Sequence, residues 1–134
     1  MAREIETKCI HLEEEENSIN HYGAISYPIY QSATYAHPGV GQSTGYDYSR
    51  LQNPTREHLE KTVASLENGI DALAFSSGMA AITLMMELFK PGDHLIVDAD
   101  LYGGSIRLFN HVSEKNGIEF SSVDCHKKNV AAYI

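Results

Sequence analysis

Cysteine is scarce in this sequence. Cys9 and Cys125 are the only two, they lie far apart in the chain, and they form no disulfide framework. A reduced, cytoplasmic protein is the expectation. Positive charge is short as well: ten Lys and Arg stand against 18 Asp and Glu, for a net charge of −8. Such a surface repels nucleic acid and anionic membranes rather than attracting them. Part of the excess is the run Glu13 to Glu16, which reads as a solvated face or a frayed segment. No apolar run approaches the length that spans a bilayer. The charged start Arg3-Glu4-Ile5-Glu6 is not followed by the apolar core of a signal peptide. The seven histidines are scattered and show no zinc-type spacing with either cysteine, so no metal is expected. Gly-Lys-Ser and Gly-x-Gly-x-x-Gly are missing, which removes the commonest nucleotide-loop signatures. At 134 residues the chain has the size of one domain.

What is present divides into two parts. Residues 1 to 52 show no sustained period apart from a short helix expected around Ile5 to Leu12. They hold Tyr22, Tyr27, Tyr30, Tyr35, Tyr46 and Tyr48, with Pro28, Pro38 and Gly23, Gly39, Gly41 and Gly45 between them. Disordered tails are poor in aromatics. An irregular arm that docks on a neighbouring subunit is therefore expected, against the alternative of a flexible tail.

Regular structure is expected from Asn53-Pro54, a good N-cap followed by proline at the first helical position. Leu59, Val63 and Leu66 recur at helical spacing, with Glu57, Glu60 and Lys61 assigned to the outer face. Asn68-Gly69 closes the helix. Ala72 to Ser76 then reads as a buried strand, and Ser77-Gly78 turns it into a helix from Met79 to Phe89. That helix is apolar nearly all round, so burial is expected. Pro91-Gly92 stops it. His94 to Val97 reads as a strand, Asp98 to Gly104 as a loop, Ile106, Phe109 and Val112 as a helix, and Ile118 to Val123 as a strand. Asn129 to Ile134 resembles the opening of another helix. Alternating helices and strands imply an α/β fold with a mainly parallel sheet. Ligands gather at the carboxyl ends of such strands, where Ser76 to Gly78 and Asp98 to Tyr102 both fall.

A strand that turns through glycine into a helix leaves unpaired N–H groups at the helix start, where a phosphate can sit. Ordinary tight packing is the alternative. The segment Gly45 to Arg56 gathers two tyrosines, Asp47, Arg50 and Arg56 ahead of a helix. It suits bidentate phosphate binding, or equally a turn in which an arginine pairs with Asp47.

Tyr48-Ser49-Arg50, Asn53-Pro54-Thr55, Ser77-Gly78-Met79-Ala80-Ala81-Ile82, Pro91-Gly92-Asp93 and Tyr102-Gly103-Gly104-Ser105 occur in that order. Together they resemble the cystathionine γ-synthase group, the pyridoxal-phosphate-dependent Cys/Met metabolism or trans-sulfuration enzymes. Gly23-Ala24-Ile25 and Pro28-Ile29-Tyr30 resemble the N-terminal arm of that family. The resemblance implies residues 1–52 as the arm and 53–134 as the incomplete start of an aminotransferase-like (fold type I) large domain. It implies that Gly78 and Met79 offer N–H groups to the phosphate of pyridoxal 5'-phosphate. Tyr48 and Arg50 would reach the same phosphate from a neighbouring identical subunit of a homodimer or homotetramer. Tyr102 would stack on the pyridine ring and act in proton transfer, and Asp47 would hold a substrate ammonium. The substrates would be small amino acids. A γ-synthase, replacing the γ-substituent of an activated homoserine with cysteine, is the leading reading, with a cystathionine γ- or β-lyase or a methionine γ-lyase as alternative. Gly103-Gly104 stands where methionine γ-lyases carry a cysteine, which argues against that activity.

Lys8, Lys61, Lys90, Lys115, Lys127 and Lys128 match none of the family's motifs. The Schiff-base lysine, the aspartate that pairs with the pyridinium nitrogen and the C-terminal substrate domain are expected beyond residue 134. These 134 residues alone are therefore expected to be inactive. Readings of another class are a stand-alone phosphate-ligand or nucleotide-binding module, and a non-catalytic fragment that associates with full-length subunits.

Overall fold

A computed structural model describes residues 4–11, 24 and 26–126. The runs around Glu13 to Glu16, Gly23, Ile25 and Asn129 to Ile134, and Tyr22, lie outside the described residues. Two compact units are present, Met1–Ala74 and Phe75–Ile134.

In the first unit, α1 (Ile5–Lys8) is a single turn, shorter than the hydrophobic spacing suggested. The organising element is α2 (Pro54–Leu66). Asn53 has extended backbone and its side-chain oxygen accepts the N–H groups of Thr55 at 2.9 Å and Arg56 at 3.3 Å. That satisfies two of the donors a helix start leaves unpaired. Pro54, which has no N–H to satisfy, takes the first position and is buried. Asn68 adopts φ 54°, the left-handed conformation that ends helices.

The irregular residues 26–52 hold to this helix start by side-chain hydrogen bonds. Thr55 Oγ1 accepts Tyr30 N–H at 2.8 Å and donates to Pro28 O at 3.2 Å. Asn53 Nδ2 faces Tyr30 O, Tyr35 Oη and Ser49 Oγ at 3.0 to 3.1 Å. Tyr27 stacks on His58 of α2 with ring centroids 3.9 Å apart. The face of α2 expected to be outer is the engaged one. Glu57 accepts the Tyr46 hydroxyl, and Glu60 accepts Ala74 N–H at 2.8 Å, while Leu59 and Val63 are exposed. Half-buried hydrogen-bond donors in a segment without a ladder need acceptors, and the carboxylates supply them.

The expected strand Ala72 to Ser76 is not formed as a strand. It has no ladder partner among the described residues, and its N–H groups turn to side chains: Ala72 to Asp71 Oδ1, Ala74 to Glu60.

In the second unit α3 (Gly78–Met86) starts on Ser77, whose Oγ accepts Ala80 N–H at 3.2 Å. Tighter i→i−3 bonds carry the turn on through Phe89. None of its residues is buried, contrary to the expectation from its apolar composition. Composition sets what a helix can cover, and among the described residues little covers this one. Pro91-Gly92 then reverses the chain. Gly92 (φ 92°) donates to Gly117 O at 2.7 Å, and Lys90 N–H is held by Asp93 Oδ2. Strands β1 (His94–Asp98) and β2 (Glu119–Val123) form a parallel pair in the register His94↔Glu119 to Asp98↔Val123. Between them α4 (Gly103–Leu108) passes into a π-helical turn, Phe109–Ser113. Phe109, Ile118 and Val123 are buried, and Phe109 and Phe120 meet with centroids 5.8 Å apart. The unit is a small α/β assembly with a parallel sheet.

Replacing Asn53 separates its two functions. Asn53→Ala should cost about 1–2 kcal/mol of stability in urea unfolding of the intact protein. Asn53→Asp keeps the cap but loses the Nδ2 donors, so it should fall between wild type and alanine. Equal losses for both variants would show that the cap contributes nothing.

Candidate functional site

The start of α3 carries an unfilled donor set. Ala80 N–H goes to Ser77 Oγ and Ala81 N–H to Ser77 O, both at 3.2 Å. The N–H groups of Gly78 and Met79 precede these bonds and have no acceptor among the described residues. A Cβ placed on Gly78 would meet no atom of the described residues within 4 Å. Packing against the described residues therefore does not explain a glycine here. Open space in front of two aligned N–H groups at a positive helix end fits an anionic group such as a phosphate.

Tyr102 stands beside that helix start. Ladder geometry fixes its approach: Ala99 N–H donates to Val123 O at 2.8 Å, and Asp98 Oδ1 accepts Asp100 N–H at 2.9 Å. The second bond holds the Asp98 carboxyl below its ordinary range. Partial desolvation, and next the neighbouring Asp98, push the Cys125 thiol up, away from the reactive thiolate. Tyr102 then occupies the N-cap of α4, and its carbonyl accepts Ser105 N–H. Its ring lies over Gly104. A Cβ there would stand 2.5 Å from Tyr102 Cε1 and 3.1 Å from Met79 Sδ. Gly104 thus lets the ring of Tyr102 and the side chain of Met79 converge, and Ser105 Oγ lies 4.0 Å from the same sulfur. Gly78, Met79 and Tyr102 are therefore brought together. The Tyr102 side chain is 70% exposed, so its ring is available to cover a flat ligand.

Asp47, Tyr48 and Arg50 belong to the first unit. The Arg50 guanidinium lies 5.4 Å from the centre of the Tyr48 ring. It makes no hydrogen bond or ion pair among the described residues. The turn Tyr48–Gln52 is closed by Leu51 and Gln52 N–H groups on Tyr48 O, and Ser49 N–H donates to Ala33 O. Asp47 pairs with His37 Nε2 at 3.0 Å, and Ser43 Oγ lies at 3.3 Å. His37 Nδ1 accepts Thr44 N–H at 3.4 Å, so Nε2 carries the proton given to Asp47. The turn in which an arginine pairs with Asp47 is not what forms. Arg56 goes instead to the carbonyls of Ser49 and Leu51.

Tyr46, Glu57 and Lys61 form one hydrogen-bonded chain. The Tyr46 hydroxyl donates to Glu57, which accepts Lys61 Nζ at 2.6 Å. Burial and the Glu57 carboxylate push the Tyr46 phenol well above its ordinary range. Lys61, and next Tyr46, hold Glu57 below its own. An i,i+4 Glu–Lys spacing was legible, but nothing local marks Tyr46 as its third member. Among the described residues no group of His, Cys, Asp and Glu could hold a metal ion.

Residues 6–134 match the family described as Cys/Met metabolism PLP-dependent enzyme. The cystathionine gamma-synthase/O-acetylhomoserine (thiol)-lyase of Bacillus subtilis (strain 168) is 47% identical over 97% of this chain and 36% of its own length. The cystathionine gamma-lyase of the same organism is 54% identical over 76% of this chain and 27% of its own. The crystal structure of metB from Corynebacterium glutamicum superimposes with a TM-score of 0.89 at 40% identity. It covers 99% of this chain and 35% of that one. The chain thus spans about a third of the length of the B. subtilis synthase relative.

Two outcomes test this geometry. Gly104→Ala should displace the Tyr102 ring and change the near-ultraviolet tyrosine dichroism, with far-ultraviolet dichroism intact; an unchanged near-ultraviolet signal counts against the contact. For the Tyr46–Glu57 pair the sign follows from both shifts. Glu57 is lowered from 4.5, so its contribution is present above that pH and lost as pH falls through the folded value. Tyr46 is raised from 10.0, so its contribution is full below pH 10 and lost as pH rises through the folded value. Tyr46→Phe should cost about 1 kcal/mol at neutral pH and flatten the decline above pH 10 in urea unfolding. Superimposable alkaline profiles would refute this.

Proposed function

Because the chain belongs to the pyridoxal-phosphate-dependent Cys/Met metabolism enzymes, we propose that it is the N-terminal part of a cystathionine γ-synthase, an enzyme that joins cysteine to an activated homoserine. A cystathionine γ- or β-lyase is the second reading, favoured by relatives of both names at similar identity. The observation that carries the proposal is the meeting of Met79 and Tyr102 over Gly104, beside the free N–H groups of Gly78 and Met79.

Bound pyridoxal 5'-phosphate supplies an electron sink for carbanions formed on amino acids. Gly78 and Met79 donate backbone hydrogen bonds to its phosphate, where the end of α3 adds positive potential. Tyr102 covers the ring with its flat face, and its phenolic oxygen exchanges a proton with the reacting substrate. Arg50 and Tyr48 give the phosphate a charged fork and a neutral donor. Asp47 releases His37 to take a substrate ammonium. In this reading residues 1–52 are an arm, and residues 53–134 begin the cofactor domain. The arm carries Tyr48 and Arg50 to a neighbouring identical subunit of a homodimer or homotetramer. The nearly full exposure of Val40 and Ile70, with Ile29 and Leu51 well exposed, supports such an association. Both cysteines of the chain are free, which supports a reducing, cytoplasmic location.

A chain extended to the relatives' full length should show a cofactor absorbance band, and borohydride should fix that cofactor to the protein. The 134 residues alone should show neither. Absence of the band from the extended chain would sink the proposal. In the extended chain, Arg50→Ala should weaken cofactor binding about 10- to 100-fold, the worth of a charged hydrogen-bonding partner. Unchanged affinity would remove Arg50 from the site.

A further inference from the structure

The stretch Gly45 to Arg56 contains two arginines, and the fold uses them differently. Arg56 is committed to backbone. Its Nη1 donates to Ser49 O at 3.0 Å and its Nη2 to Leu51 O at 2.6 Å. Those carbonyls belong to the residues on either side of Arg50. Nε lies 3.6 Å from Glu60 Oε1, and the same carboxylate accepts Ala74 N–H, so the guanidinium is held from behind by α2. Asn53 Nδ2 also meets Ser49 Oγ at 3.0 Å. The backbone around Arg50 is fixed at both neighbours, while its guanidinium lies over the Tyr48 ring and makes no hydrogen bond or ion pair among the described residues.

We propose that Arg56 is a positioning residue for phosphate recognition: by bridging the carbonyls of Ser49 and Leu51 it aims Arg50 at the phosphate monoester of the cofactor. The inference rests on the assignment of Arg50 to that phosphate. A planar fork with a fixed spacing of donors reaches two carbonyls two residues apart. An ammonium is a point charge and holds one carbonyl well. Fixing the turn before the ligand arrives removes backbone entropy that binding would otherwise have to overcome. Arg56 needs no contact with the phosphate. Its effect passes entirely through Arg50.

The two ligands that separate this role from general support are pyridoxal 5'-phosphate and pyridoxal, which lacks the phosphate. Affinities for both are measured by absorbance titration of the chain extended to the relatives' full length, with Arg50→Ala, Arg56→Lys, Arg56→Met and the double variant Arg50→Ala/Arg56→Lys. Circular dichroism and thermal unfolding accompany each variant. Arg56→Lys should weaken pyridoxal 5'-phosphate binding about tenfold and leave pyridoxal binding unchanged, about the worth of one net hydrogen bond. In the Arg50→Ala background, Arg56→Lys should add nothing, because the group it aims is gone. Should Arg56→Met fail to fold, Arg56→Lys still carries the comparison. Equal losses for both ligands, or additive losses in the double variant, overturn the inference. So does full phosphate affinity in Arg56→Lys when Arg50→Ala has lost it. If Arg50→Ala itself keeps full affinity, the assignment of Arg50 falls first and the role of Arg56 falls with it.

Discussion

The first unit depends on the division of labour within one side chain. Asn53 is both acceptor and donor, and the fold uses each end for a different purpose. The oxygen closes the start of α2 and the nitrogen gathers Tyr30, Tyr35 and Ser49. An aspartate caps equally well but cannot donate, and a serine donates only once. Thr55 and Arg56, next in the same turn, extend the hold to residues 28, 30, 49 and 51. A segment with almost no secondary structure must satisfy its polar backbone some other way. Here one helix start does it, so Asn-Pro-Thr serves as an anchor as much as a cap.

The second unit is organised by where side chains are missing. Gly92 and Gly117 take positive φ and meet by a hydrogen bond where β1 begins, so both strands start in register. Gly78 keeps the approach to α3 clear, and Gly104 gives the Tyr102 ring its seat. The parallel pair delivers Asp98 to the loop that carries Tyr102, and backbone bonds at Ala99 and Asp100 fix that loop. Rigid strands thus hold an open helix end and an exposed aromatic ring in one place.

Features settled by neighbouring residues were legible in the sequence. The Asn53 cap, the left-handed Asn68 and the Pro91-Gly92 turn depend on local chemistry, and each forms as expected. Features settled by distant partners were not. Ala72 to Ser76 has strand composition, yet a strand needs a ladder, and its N–H groups find side chains instead. Charge assigned Glu57 and Glu60 to the solvent face of α2, although Tyr46, Arg56 and Ala74 claim them. Arg50 and Arg56 looked alike as residues near a phosphate-suited turn. Only their partners tell them apart, because the difference lies in which carbonyls come within reach.

The bonds that anchor Pro28 and Tyr30 span 23 to 27 residues: Tyr30 to Asn53, Tyr30 to Thr55 and Pro28 to Thr55. During synthesis Pro28 and Tyr30 leave the ribosome well before the residues that hold them. At about 5–20 residues per second, the interval is roughly one to five seconds. Through that time Pro28 and Tyr30 have neither Asn53 nor Thr55 to bind them, so this stretch is made before its anchors and fastened only after them.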